Sequence, residues 1–329
     1  MAYTRKPGAV MLAVCMLLPG AVYAAERATD WPAKPVRLIV PFAPGGATDI
    51  VARIMAQGLT EVLGQQFVVD NRSGASGNIG VEMAVRALPD GYTVLINNVS
   101  TGAINPIAFA STLKFDSTKE LTGVALLASI PNLLVSSANF PPNNMKELIE
   151  YAKARPGQLN YSNPIGAYSH LDMLEFMTKA GIKMVNVPSK GAGASFAPII
   201  AGEIHFSFLN AATVTPQVKA GRMKAFVTTA KKRLPELPEV PTMAEAGFPG
   251  MGSVNWNGFF VTSKTPRAII DKLAAATTQV LQRPQVSEAL AKAGVPMTPS
   301  ASPEEFQEFV RAEQKRWARI IKENNVKLD

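Results

Sequence analysis

Along this chain a short apolar run repeatedly ends in a loop of Gly, Ser, Thr or Asn, and a helical pattern usually follows. The runs are Val36–Val40, Thr93–Ile96, Leu159–Tyr161, Met184–Val187 and Phe206–Phe208. Strands that alternate with helices restrict the chain to the α/β class with mainly parallel sheets. Ligands of such sheets bind beyond the carboxyl ends of the strands. The polar loops all lie there: Gly45-Gly46, Asn97 to Gly102, Ser162 to Ser169, Pro188 to Gly193, and Asn210 to Thr213.

The first loop carries the clearest chemistry. Leu38-Ile39-Val40 runs into Pro41-Phe42-Ala43-Pro44-Gly45-Gly46, and apolar residues at helical spacing (Ile50, Val51, Ile54, Met55, Leu59) begin at once. Two adjacent glycines leave backbone N–H groups uncovered at a helix N-terminus, where carboxylates bind. Asp49 falls at the third helical position if Gly46 is the N-cap. There it either closes a capping box or orients bound water.

The N-terminus has the layout of an export signal: Arg5 and Lys6, an apolar stretch Ala9 to Leu18, a break at Pro19-Gly20, and Val22-Tyr23-Ala24 before cleavage. The apolar stretch is too short for a bilayer core of about 30 Å. Residues 1–24 are therefore expected to be a cleaved leader and the mature chain periplasmic. Cys15, the one cysteine, lies within the leader, so no disulfide framework is expected. The formal net charge is +8. Its basic residues are scattered without interleaved aromatics, which argues against nucleic acid. A positive excess helps attract anions.

Helix boundaries are clear. Ser302-Pro303-Glu304-Glu305 is a capping box with Pro at the first helical position, and Phe306, Phe309, Val310, Trp317, Ile320 and Ile321 follow on one face. Thr265-Pro266 opens a helix burying Ile269, Ile270, Leu273, Val280 and Leu281, and Asn144 with Glu147 opens a third. Val124–Ala128 and Ala225–Thr229 read as segments crossing between two domains. The expected division is 25–124 with 245–329 as a discontinuous first domain, and 125–244 as an inserted second.

Specific motifs run in order over the whole mature chain. They are Trp31-Pro32 through Pro41-Phe42, Gly45-Gly46 with Asp49, Val69-Asp70-Asn71-Arg72, Gly77-Asn78-Ile79-Gly80 and Pro89-Asp90-Gly91-Tyr92. Ala103-Ile104-Asn105-Pro106, Pro156 to Tyr161, Ser169-His170-Leu171, Val187-Pro188 with Lys190-Gly191, Pro238 to Glu245, and Ser302 to Phe306 complete the set. With them the chain resembles the tripartite tricarboxylate transporter substrate-binding proteins, the Bug or TctC-like family. The resemblance implies a type II-like, Venus-flytrap periplasmic binding protein, monomeric and without cofactor. Such a protein closes two domains on a small organic carboxylate and hands it to membrane transporter subunits. It also implies that the loops Pro41–Asp49 and Pro188–Gly191 hold one carboxylate, partly through water. Relatives often carry Tyr where Ser189 stands here and an acid where Leu209 stands. An acid suits a ligand's ammonium group, so Leu209 suggests an amine-free carboxylate, di- or tricarboxylic or aromatic.

The candidate ligand-binding residues are Phe42, Ala43, Gly45, Gly46, Asp49, Ser100, Thr101, Asn105, Ser162, Asn163, Tyr168, Ser169, Ser189, Lys190, Gly191 and Asn210. Hydroxyls and amides at Ser100, Thr101, Asn105, Ser162, Asn163 and Ser169 suit carboxylate oxygens, and serve equally for local loop bonding. Tyr168 would wall an apolar ligand. Lys190 is either a charge partner or solvated. His170 and His205 are the two histidines, with no ligand cluster around them, so no metal is expected. The Gly-rich stretch at 191–193 lacks dinucleotide spacing. Two other functions stay open: a ligand-sensing subunit of a signalling system, and a hydrolase using Ser169 or Ser189 with His170. No G-x-S-x-G elbow supports the hydrolase, so no enzyme activity is expected.

Overall fold

The computed structural model of the chain describes residues 1, 30–188, 192–324 and 326. The leader (apart from Met1) and the candidates Ser189, Lys190 and Gly191 lie outside the described residues.

In chain order, β1 (Val36–Val40), α1 (Ala47–Leu63), β2 (Phe67–Asn71), α2 (Asn78–Val85) and β3 (Thr93–Asn98) form a β-α-β-α-β unit. Two short helices, α3 (Asn105–Ala108) and α4 (Ser117–Glu120), lead to the long strand β4 (Leu121–Ser137). The second lobe holds α5 (Met145–Lys153), β5 (Asn160–Tyr161), α6 (Tyr168–Ala180), β6 (Val185–Asn186), α7 (Ala192–Ala201), β7 (Ser207–Asn210), α8 (Ala211–Lys219) and β8 (Met223–Thr228). The chain returns through β9 (Val254–Thr262) and ends with α9 (Arg267–Leu281), α10 (Pro284–Lys292) and α11 (Pro303–Glu323). Among the described residues no helix is long and apolar enough to cross a membrane.

The α/β class and the two-lobed architecture hold, but the expectation of mainly parallel sheets needs correction. β1 pairs in parallel with β2 and β3, and β5 with β6. β9 is antiparallel to β3 and β4, and β4 is antiparallel to β7 and β8. Parallel neighbours need a crossover, which α1 and α2 supply in the first unit. β4 and β9 instead carry the chain between lobes in opposite directions, so they meet head to tail. β4 pairs with β9 from Leu121 to Pro131, then with β7 and β8 from Asn132 to Ser137. It belongs to both lobes. Val124–Ala128 lies in the first half of this strand, beside β9, and the change of partners comes later, at Pro131 and Asn132. Ala225–Thr229 does not cross, because β8 stays beside the second half of β4.

Helices form where the apolar spacing placed them. α1 buries Val51, Ala52, Met55 and Leu59 and stops at Gly64, whose φ of 71° is left-handed. Ser302 caps α11 by accepting the Glu305 N–H at 3.2 Å, and Phe306, Val310, Trp317 and Ile320 are buried. The five apolar positions expected of α9 are buried too. Two cores sandwich the first sheet. One lies under α1 and α9; the other holds Trp256, Phe260, Phe306 and Trp317 under α11. Trp256 meets Phe306 edge to face, 5.9 Å between centroids at 82°, a contact worth about 0.5–1.5 kcal/mol beyond area burial. The second lobe has its own cores, one around Tyr161, Phe176, Phe206 and Phe226 and another around Leu133, Val135 and Leu209.

Candidate functional site

The loop after β1 is held from below by a carboxylate. Gly46 is the N-cap of α1, in extended conformation, and Asp49 sits at the third helical position as expected. The buried Asp49 accepts the Gly45 N–H at 2.8 Å, Arg53 Nε at 3.0 Å and Asn71 Nδ2 at 2.9 Å. Burial alone raises the Asp49 carboxyl. The hydrogen bonds from Arg53, Gly45 and Asn71 outweigh it and hold the group below the ordinary aspartate value. Asn71 Nδ2 also donates to the Phe42 carbonyl at 3.1 Å. Asp49 thus shapes the loop, a variant of the capping box that reaches one residue beyond the cap.

The loop after β3 is built around Asn98. Its Oδ1 accepts the N–H groups of Ser100 at 3.0 Å and Thr101 at 3.3 Å, turning the chain into a π-type turn over Ser100–Ile104. Thr101 is buried with its methyl against Gly77. Gln314 of α11 supports the same turn by donating to the Gly102 carbonyl at 3.0 Å. Asn105 points its amide away, donating to the Ser76 carbonyl at 2.9 Å and to Asn78 Oδ1 at 3.0 Å.

The second lobe contributes the start of α6. Ala167 is its N-cap and supplies no side-chain cap. His170 Nδ1 accepts the Gly166 N–H at 3.2 Å, and the ring stacks on Tyr161 at 6.1 Å. Burial lowers the imidazole below its ordinary value, so the neutral ring with its proton on Nε2 is the native form. Tyr168 donates to Asn132 Oδ1 at 3.3 Å, and burial pushes its phenol up. Ser162, Asn163 and Asn210 are engaged locally. The Ser162 hydroxyl shares a hydrogen bond with Ser195 at 3.3 Å, Asn163 Nδ2 donates to Ser207 Oγ and to the Phe208 carbonyl, and Asn210 caps α8 through the Ala212 N–H.

Between these loops and the start of α6 lies a cavity of about 590 Å³. Of the residues expected from sequence, Phe42, Ala43, Ser100 and Asn105 line it. Gly45, Gly46, Asp49, Thr101, Ser162, Asn163, Tyr168, Ser169 and Asn210 do not. Several of them are instead the scaffold that fixes those walls. Ser73, Gly74, Ser76 and Gly77 after β2, Phe109 after α3, and Ile165, Gly166 and Ala167 line it without having been expected. The 73–77 loop has the same Ser/Gly composition as the expected loops, and that composition was the available signal. The lining residues offer hydroxyls, backbone groups and apolar faces, and none carries a charge. Leu209 does not face this cavity. It pairs with Leu133 in the β4–β7 ladder and is buried in the second core, so the amine-free expectation cannot rest on it. Among the described residues no group of three His, Cys, Asp or Glu is placed to hold a metal.

Comparison with known proteins agrees with this geometry. The family model described as "Tripartite tricarboxylate transporter family receptor" (TctC) matches residues 51–326. Protein BugT of Bordetella pertussis is 31% identical over 93% of this chain and 94% of its own. The structure of R. palustris Rpa4515 with adipate is 34% identical, with a TM-score of 0.76 over 91% of this chain and 99% of that one. MatC (Rpa3494) from Rhodopseudomonas palustris with bound malate is 30% identical, with a TM-score of 0.73 over 88% of this chain and all of that one. Matched over most of its length by family model, sequence and fold alike, this chain belongs to the tripartite tricarboxylate transporter family receptors, the periplasmic solute-binding proteins of the Bug/TctC type.

Proposed function

We propose that this protein captures a small, amine-free organic carboxylate between its lobes in the periplasm and delivers it to a tripartite membrane transporter. The observation that carries the reading is the cavity itself. Its walls come from the strand-end loops of one lobe and the 165–167 loop that leads into α6 in the other, and among the described residues they offer hydroxyls, an amide, backbone groups and apolar faces but no charged side chain. Serine hydroxyls and backbone N–H groups suit carboxylate oxygens, while an ammonium group would meet no carboxylate and stay unpaired at high cost. Phe42, Phe109 and Ile165 suit an aliphatic or aromatic body. The structures with adipate and malate support the carboxylate class.

In this reading the export leader is residues 1–24, the first domain 25–124 with 245–329, and the second 125–244. Distinct cores support two lobes, while Ala125 to Ile130 pack in the first lobe's core and Phe248 and Met251 in the second's, which moves both expected boundaries a few residues toward the C-terminus. Ligand that touches both lobes favours the closed state by its differential affinity for it. Phe42, Ala43, Ser100 and Asn105 belong to the binding site, with residues 189–191, outside the described residues, as its expected second arm.

Calorimetric titration of the mature chain with adipate, malate, succinate, aspartate and glutamate tests this. An amine-free acid is expected to bind, and Ala167→Trp, which fills the cavity, should abolish binding. Tighter binding of aspartate or glutamate than of every amine-free acid would overturn the ligand class. Uptake of the labelled acid by cells lacking the protein tests delivery: unchanged uptake would remove the transport role.

A further inference from the structure

Four consecutive residues hold positive φ angles, Gly74 at 127°, Ala75 at 46°, Ser76 at 56° and Gly77 at 94°, and all but Ala75 line the cavity. Glycine adopts such angles freely, but Ala75 and Ser76 do not. Two strained non-glycine neighbours in a solvent-exposed segment persist only where the surroundings over-determine them.

Asn105 supplies that determination from 29 positions away. Its Nδ2 donates to the Ser76 carbonyl at 2.9 Å and to Asn78 Oδ1 at 3.0 Å. The Ser76 carbonyl can only accept, so the orientation of the Asn105 amide is fixed and both of its hydrogens are used. The Gly77 N–H closes the turn onto the Gly74 carbonyl at 2.9 Å. Gly77 is buried, and a Cβ there would lie 2.5 Å from Thr101 Cγ2 and 3.2 Å from the Pro41 carbonyl oxygen. The segment is thereby clamped against both other loops of its lobe.

We propose that Asn105 is a positioning residue: it holds Ser76 and Gly77 in place as a preformed wall of the ligand cavity and gives no amide hydrogen to the ligand. This rests on the cavity being the ligand site. A wall already ordered before binding removes an entropic cost from association. Its strain makes it depend on Asn105, because without that anchor Ala75 and Ser76 relax to ordinary backbone angles and carry Ser76 out of the wall.

The test uses the mature chain with Asn105→Ala, Ala75→Gly and the double variant. Ala75 neither lines the cavity nor takes part in the clamp. Hydrogen exchange of the 73–78 peptide and the Kd for adipate are read for each. Asn105→Ala should speed exchange and weaken adipate by about tenfold. Ala75→Gly alone should stay within about twofold of the parent. In the Ala75→Gly background the Asn105→Ala loss should shrink to about threefold or less, since glycine removes the strain at position 75 and leaves only that at Ser76 for the anchor to hold. Such rescue is not expected of an amide that donates directly to the ligand. Asn105→Asp, of equal size but without amide hydrogens, should reproduce the loss if the alanine variant folds poorly. Unchanged exchange in Asn105→Ala, or an equal loss of affinity in both backgrounds, would overturn the proposal. If the parent binds neither adipate nor malate, the carboxylate reading fails, while the exchange measurement, which needs no ligand, still decides the role of Asn105.

Discussion

Arg316 on α11 donates through Nη2 to Asp172 Oδ1 on α6 at 3.0 Å, tying the C-terminal helix of one lobe to the helix whose leading loop lines the cavity in the other. The same nitrogen reaches Glu175 Oε2 at 2.8 Å. Asp172 is fully buried and also accepts the Ser253 N–H at 3.1 Å and its hydroxyl. Burial raises the Asp172 carboxyl, and the Arg316 charge opposes that rise. Nearby, Glu313 accepts the indole N–H groups of Trp256 and Trp317. With Gln314 bonded to Gly102, one helix supports both walls of the site.

Replacing Arg316 by Met leaves Asp172 buried without its cation. Breaking one side of a buried pair costs about 3–5 kcal/mol. The lower end is expected, because Glu175 keeps Arg319 and Lys179. Urea denaturation measures it, and the Arg316→Met/Asp172→Leu pair should recover part of the loss. A loss under about 1 kcal/mol would place this pair in the class of surface salt bridges.

His170 gives the protein an acid-side limit. Its native pKa is lowered, so the unfolded chain takes up the proton first as pH falls. The stability it contributes is whole above the ordinary value of 6.5 and declines as pH drops below that value toward the lowered native one. The slope from one such group is at most about 1.4 kcal/mol per pH unit. Melting temperatures between pH 7.5 and 5 should fall less steeply in His170→Gln than in the parent. Protonation at Nδ1 also breaks the bond to the Gly166 N–H, which sits at the cavity wall.

Gly77→Ala should be costly where Gly46→Ala is not. At Gly77 the new Cβ meets Thr101 and the Pro41 carbonyl with φ at 94°, and the expected loss is about 2–4 kcal/mol. At Gly46 the nearest atom is 3.9 Å away and φ is −78°, so about 1 kcal/mol or less is expected. Chemical denaturation of the two variants makes the comparison.

Asp49→Ala removes the acceptor for Gly45, Arg53 and Asn71 together. Loss of a buried acceptor costs about 1–3 kcal/mol. Because Asn71 also anchors Phe42, carboxylate affinity should fall along with stability. Affinity that survives intact would separate the Asp49 scaffold from the Phe42 wall.

Local rules made much of this molecule legible in the sequence. The Ser302 cap, the buried faces of α9 and α11, and the placement of Gly46 and Asp49 are set by residues within a turn of one another. Of β4 only the apolar segment Val124–Ala128 was read from sequence, while the strand runs on from Leu121 to Ser137, 17 residues. Asn105 read as a ligand-facing or local loop amide, yet its partners, the Ser76 carbonyl and Asn78 Oδ1, lie 29 and 27 positions away. The left-handed angles at Ala75 and Ser76 have no local signature, because the anchor that imposes them is distant in sequence. Leu209 misled for a different reason: its register opposite Leu133 turns it into the second core.

A strand held by two sheets behaves as a leaf spring. β4 is hydrogen-bonded along both halves of its length, to β9 in one lobe and to β7 and β8 in the other, so the lobes cannot swivel on a free tether. In the proposed reading, opening the cleft would flex one continuous ribbon near Pro131 and Asn132, where its partners change. Among the described residues the same ribbon is the one strand shared by both sheets, so each lobe's sheet is built on a stretch of backbone continuous with the other's.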